Sequence, residues 1–192
     1  KEEKIDGLVL DLRRNGGGIL DEAVELTGLF IREGPVVQEK RPNGTTLVRD
    51  DENAKVAWDG PLVVATSHFS ASASEIVAAA LQDYGRALIV GDSATHGKGT
   101  VQTLMPLSQF FNRLTLTSNA GKLKFTVSKF YRVAGGTTQK YGVTPDLSFP
   151  SVLDYMDLGE SHLPNCLPAD RTTPVEYDHF DFVTPYLSTL RD

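Results

Sequence analysis

Apolar positions along the first 150 residues fall into short continuous runs and helically spaced runs, separated by glycine and proline. Ile5-Asp6-Gly7-Leu8-Val9-Leu10-Asp11-Leu12-Arg13 reads as a buried strand, with Asp11 near its end. A glycine turn follows at Asn15-Gly16-Gly17-Gly18, and then helical spacing from Leu20 to Ile31. Pro35–Arg41 and Thr45–Arg49 flank Pro42-Asn43-Gly44, where Asn-Gly predicts a hairpin. Gly60–Thr66 is a second buried strand. It leads into Ser72-Ala73-Ser74-Glu75, an S-x-x-E capping box at the start of an alanine-rich helix. That helix stops at Gly85, and Ala87–Asp92 is strand-like. Leu114–Thr117 and Leu123–Val133 supply further strands. The pattern predicts a mixed α/β fold, a β-sheet flanked by helices. From Ser151 it loosens: Pro164, Pro168, Pro174 and Pro185 interrupt it, so residues 151–192 are expected to wrap a core formed by residues 1–150.

Composition narrows the function. The chain has 192 residues, 40% of them hydrophobic, enough for one packed core. Its 19 basic and 25 acidic residues give a net charge of −6, which argues against nucleic acid and anionic membrane surfaces as partners. No apolar run approaches the ~18–20 residues of a membrane span. Cys166 is the only cysteine, so no internal disulfide forms. His68, His96, His162 and His179 lack metal-ligand spacing, and neither a metal nor a cofactor is expected.

The candidate chemistry centres on Ser72, with Lys98 and Gln102 in Gly97-Lys98-Gly99-Thr100-Val101-Gln102. A serine at a helix start sits near unsatisfied N–H groups and the positive end of the helix dipole, both favourable to an oxyanion. The plain alternative makes Ser72 a cap worth about 1 kcal/mol. Lys98 acts as a base only if its pKa falls from ~10.4 to about 7–8, which desolvation can supply. If residues 98–102 are extended, Gln102 shares a side with Lys98 and orients it. The stretch is no phosphate loop: five residues separate Gly91 from Gly97, and Gly99 stands where Ser or Thr is needed. The triple glycine suits anion binding at a helix start but is not a dinucleotide fingerprint. A Ser-His pairing stays open, with His68 four residues before Ser72, His96 two before Lys98, and Asp92 or Asp11 as the third member. Trp58, Phe69, Phe110, Phe111 and Phe125 are expected in the core, with Phe110-Phe111 as an alternative groove lining.

Taken together, Leu10–Gly18, the FSASASEI run from Phe69 to Ile76 and GKGTVQ from Gly97 to Gln102 resemble the carboxyl-terminal processing proteases, a family of Ser-Lys peptidases. Lys129–Val133 and Gly142-Val143-Thr144-Pro145-Asp146 extend the resemblance in the same order, over roughly residues 5–150. It implies a crotonase/ClpP-like protease core. It also implies an endopeptidase that recognises unstructured C-terminal ends of proteins and cuts through an acyl-enzyme. By motif position Ser72 is the nucleophile, Lys98 the base and Gln102 its orienter, with the Gly18 and Ala73 amides as oxyanion hole. The family further implies a periplasmic or cell-envelope setting in a bacterium, and an adaptor protein bound through other regions. Family members carry a PDZ domain that adds a substrate C-terminus to a sheet edge. Lys1-Glu2-Glu3-Lys4 directly precedes the first strand, so the chain reads as a protease core taken from a larger protein. A catalytically latent, peptide-binding fragment of such a protease is the alternative.

Overall fold

The computed structural model describes residues 5–110 and 120–191, so the strand expected over Leu114–Thr117 and the side chain of Phe111 lie outside the described residues. Two sheets form. Strands β1 (Leu8–Asp11), β4 (Leu62–Thr66), β5 (Leu88–Gly91) and β8 (Leu147–Ser148) make a parallel sheet in the order β1-β4-β5-β8. Strands β3 (Thr46–Asp51), β2 (Gly34–Lys40), β7 (Lys122–Tyr131) and β6 (Thr100–Pro106) make an antiparallel sheet in the order β3-β2-β7-β6. Helices α1 (Leu20–Gly28) and α2 (Ala73–Asp83) pack on each other, and a short α3 (Leu187–Arg191) closes the chain. The fold is mixed α/β, as the pattern predicts.

Helix α2 is the centre of the core. Its residues from Ser74 to Leu81 are all buried, against α1, β2 and β5. The run of three alanines lets these elements approach closely, while Ile76, Val77 and Leu81 each contribute about 1.5–3 kcal/mol by burial. Gly85 ends the helix with φ +63°, a left-handed conformation that glycine adopts without steric cost. Ile31, Val36, Val64, Tyr84 and Ile89 complete the interior.

The hairpin forms where Asn43-Gly44 predicts it, with Gly44 at φ +85° and Arg41 N–H donating to the Thr45 carbonyl at 2.9 Å. Helix α1 is shorter than its apolar pattern, ending at Gly28, because Phe30 and Ile31 turn back onto the Thr27 carbonyl. The segment after Ser151 makes several contacts with the core. Its Val175 and Phe180 amides donate to the Val133 and Tyr84 carbonyls at 3.0 and 2.7 Å, and the Tyr177 and Phe180 rings pack on Tyr84. Three aromatics depart from the expected core placement: Phe69, Phe110 and Phe125 are exposed, while Trp58 packs against the core.

Candidate active site

Strand β4 delivers the chain to the start of α2, so Ser72 sits beyond the carboxyl edge of the parallel sheet, where α/β folds gather their ligand sites. Its backbone is held at φ +58°, ψ −115°, strained for a residue with a side chain. Lys98 Nζ lies 3.4 Å from Ser72 Oγ and donates to it. The lysine is half-buried, and burial depresses its pKa; the nearby positive charge of Lys124 adds to that, while Glu160 and Glu75 oppose it. Ser72 and Lys98 therefore lie within hydrogen-bond distance, with the lysine pKa pushed down from its ordinary value.

The flanking serines do other work. Ser70 is fully buried, donating to the Leu12 carbonyl and accepting from the Ser67 amide at 2.8 and 2.9 Å. Ser74 Oγ donates to the Asn15 carbonyl at 2.8 Å. Both hydroxyls dock the chain after β1 onto the start of α2.

That docking shapes the glycine turn. Asn15 Oδ1 accepts the Gly17 amide at 2.9 Å, and the Asn15 carbonyl also receives the Ala71 amide at 3.2 Å. Gly17, at φ +102°, presses on Ser72: a β-carbon there would lie 2.7 Å from Ser72 Cβ and 3.1 Å from the Ala73 amide nitrogen. Gly18 follows it in open space, and Gly17, Gly18 and Ala73 line one small cavity of about 120 Å³. The two amides expected to form an oxyanion hole thus belong to segments in direct contact.

Glu75, which the S-x-x-E spacing marks only as part of a helix cap, lies between the Ser72 and Lys98 segments. Its carboxylate is buried and accepts four hydrogen bonds: from the Ser72 amide at 2.7 Å, Thr95 Oγ1 at 2.6 Å, the Gly97 amide at 2.7 Å and the Lys98 amide at 3.0 Å. Burial pushes its pKa up to about 7, against the downward pull of these donors. The S-x-x-E spacing signals the first bond; nothing local signals the other three.

Gln102 behaves differently from expectation. It is exposed on β6, and no hydrogen bond joins it to Lys98 among the described residues. Strand alternation begins at Thr100, not at Lys98, because Gly97 has φ +91° and the Lys98 and Gly99 amides are turned onto the Glu75 and Gln139 side chains. The ribbon is also bulged beside Gln102, where its partner strand skips from Ser128 to Thr126.

No histidine hydrogen-bonds Ser72 among the described residues. His68 Nε2 faces Asp154 Oδ1 at 2.9 Å, and the buried Nδ1 of His96 has no partner among the described residues. Asp11 is paired with Arg13 through two guanidinium contacts of 2.9 and 2.7 Å, which hold its carboxyl down to about 2. Among the described residues no group of histidine, cysteine and carboxylate side chains is arranged to hold a metal ion.

The model of Peptidase family S41 matches residues 1–149. The tail-specific protease of Haemophilus influenzae is 44% identical over 177 residues, covering 92% of this chain and 25% of that protein. The carboxy-terminal-processing protease of Bartonella bacilliformis is 37% identical over 84% of this chain and 36% of its own length. The chain therefore spans between a quarter and somewhat over a third of these two curated relatives. Among solved structures, the photosystem II D1 C-terminal processing protease superposes with a TM-score of 0.64 at 33% identity, over 76% of this chain and 35% of that one. Mature CPAF shares the fold at 17% identity and a TM-score of 0.59, over 80% of this chain and 40% of its own. The chain belongs to peptidase family S41.

Proposed function

We propose that this chain carries the catalytic centre of a serine endopeptidase working through a Ser72–Lys98 dyad. The observation that carries the reading is the 3.4 Å approach of Lys98 Nζ to Ser72 Oγ, with the lysine pKa depressed by burial. In its neutral form Lys98 takes the Ser72 proton as Oγ attacks the scissile carbonyl. The oxyanion that develops is met by the Ala73 amide at the start of α2 and by the Gly18 amide of the glycine turn. Lys98 then returns the proton to the leaving amine, and an acyl-enzyme remains. Water, deprotonated by the same lysine, releases it. Gln102, exposed on the same ribbon, is the proposed orienter of Lys98 in the substrate complex, since such contacts often tighten only when substrate is bound.

The substrates proposed are proteins with unstructured C-terminal tails, in a bacterial periplasm or cell envelope and with an adaptor bound through other regions. The names of the similar tail-specific and carboxy-terminal-processing proteases support the tail preference. A latent, peptide-binding state is the second reading, favoured by a dyad distance at the long end of hydrogen bonding and by an exposed Gln102 that makes no bond to Lys98 among the described residues.

Covalent labelling by a fluorophosphonate reagent tests the dyad without needing tail recognition. The chain should be labelled on Ser72, and the Ser72→Ala form should be folded and unlabelled. Labelling that persists in Ser72→Ala overturns the assignment; a folded chain that takes no label at Ser72 favours the latent reading.

A further inference from the structure

The segment after β8 builds a wall beside the nucleophile. A groove of about 1120 Å³ runs past the glycine turn, lined by Arg13–Gly17 on one element, Ser67 and Phe69 on the loop after β4, and Ser151–Leu153 from the tail. It is larger than the usual 300–1000 Å³ of a small-molecule site, and open enough for extended chain. Its contact with the site is direct, because Gly17 lines it and also abuts Ser72 Cβ.

Among the described residues, two apolar side chains of this groove are largely open: Phe69 is 49% exposed and Val152 is 75% exposed. Arg13, on the same lining, is paired with Asp11, and Arg14 and Asp92 add one further charge of each sign. The tail segment is firmly held. Asp154 Oδ1 accepts His68 Nε2 at 2.9 Å, the Ser93 hydroxyl at 2.6 Å and the Ser93 amide at 3.1 Å, and its Oδ2 accepts the Ser151 amide at 3.2 Å. The Phe149 amide adds a bond to the Gly91 carbonyl at 2.7 Å. Phe69 follows His68, so one aspartate fixes both sources of apolar surface relative to Ser72.

We propose that Phe69 and Val152 form an apolar subsite for a side chain of an unfolded polypeptide substrate, on the glycine-turn side of the nucleophile, and that Asp154 is the positioning residue that holds this wall in place. The inference rests on the peptidase reading for its substrate and deepens it. An extended peptide seated against the turn brings one side chain over Phe69 and Val152, and removing that side chain from water drives the choice.

Binding in the Ser72→Ala chain tests the subsite without turnover. Fluorescein-labelled nonapeptides, identical except for Leu or Asp at the central residue, are titrated and followed by anisotropy. The Leu peptide should bind about tenfold tighter than the Asp peptide, the scale on which an apolar pocket discriminates. Val152→Asp and Phe69→Ser, each in that background, should erase the difference. Asp154→Ala should shrink it while hydrogen exchange rises across residues 149–155. Equal binding of the two peptides, no binding of either, or an unchanged preference in Val152→Asp overturns the proposal. A failure of the Ser-Lys reading shows separately, as absent labelling of the Ser72 chain, and leaves these affinities interpretable. Val152 projects outward, so its substitution leaves the core intact, and Phe69→Ser gives an independent second arm.

Discussion

The backbone amides of Ser72 and Lys98 converge on a single oxygen, Glu75 Oε2, at 2.7 and 3.0 Å. One buried carboxylate therefore sets the spacing of Ser72 and Lys98, which are 26 residues apart in sequence. The two Oε1 bonds, to Thr95 and Gly97, fix the turn that carries Lys98. Removing this group leaves four donors without their acceptor, two of them in buried bonds, and a buried unsatisfied donor costs about 1–3 kcal/mol. Glu75→Ala should destabilise the chain by roughly 3 kcal/mol or more, lower its melting temperature and abolish Ser72 labelling. Glu75→Gln keeps the volume but turns an NH2 toward a backbone donor, so it should lie between the two. A Glu75→Ala chain that melts and labels like its parent would contradict this geometry.

Glu75 and Lys98 give opposite pH signatures. The folded pKa of Glu75 is raised to about 7, so its contribution to stability is full below the unfolded value of ~4.5 and is lost as pH rises through 7. The folded pKa of Lys98 is lowered, so the fold disfavours the charged amine and that contribution grows as pH rises. Labelling of Ser72 should increase with pH as Lys98 becomes neutral, below the ordinary lysine range near ~10.4. Lys98→Arg should remove it at every pH, because a guanidinium stays protonated. Lys124→Glu replaces a charge that depresses Lys98 with one that raises it, and should shift the rate profile to higher pH. A profile that does not move would remove Lys124 from the electrostatics of the site.

How far the sequence reveals the site depends on how local each interaction is. The hairpin at Asn43-Gly44, the helix stop at Gly85 and the Ser72–Glu75 spacing are local and legible. The meeting of Ser72 with Lys98 is non-local, and it is legible only through the ordered set of motifs that resembles a family. The remaining partners of Glu75 lie 20 to 23 residues away, beyond any spacing rule. The alternation argument fails for Gln102 because side-chain acceptors, not a neighbouring strand, hold the Lys98 and Gly99 amides. Phe69, Phe110 and Phe125 show the other limit: an aromatic residue carries no mark of whether it faces a core or an open surface.

The serine cluster predicts a separation of roles. Ser70 and Ser74 hold the Leu12 and Asn15 carbonyls, while Ser72 faces Lys98. Ser74→Ala should cost about 1 kcal/mol of stability, and the more deeply buried Ser70→Ala somewhat more, since its hydroxyl both donates and accepts. Both should still take label at a measurable rate. Loss of label in Ser74→Ala together with its retention in Ser72→Ala would move the nucleophile by two residues.

Neighbouring glycines offer the sharpest test of how the turn seats on the nucleophile. A methyl group on Gly17 meets the Ala71 carbonyl oxygen and Ser72 Cβ, both at 2.7 Å, and φ there is +102°. Neither obstacle is the flexible end of a long side chain, so the turn itself has to move away from Ser72. Gly17→Ala should therefore lose roughly 1–3 kcal/mol of stability through left-handed strain and overpacking. It should also slow labelling by on the order of 100-fold, the effect of displacing an oxyanion donor. A methyl on Gly18 meets nothing within 4 Å and keeps its amide, so Gly18→Ala should melt and label nearly as its parent does. The pair separates a steric role from a general need for glycine. If Gly17→Ala labels at the parental rate, the turn does not lean on Ser72, and the Gly18 amide has no fixed relation to the oxyanion.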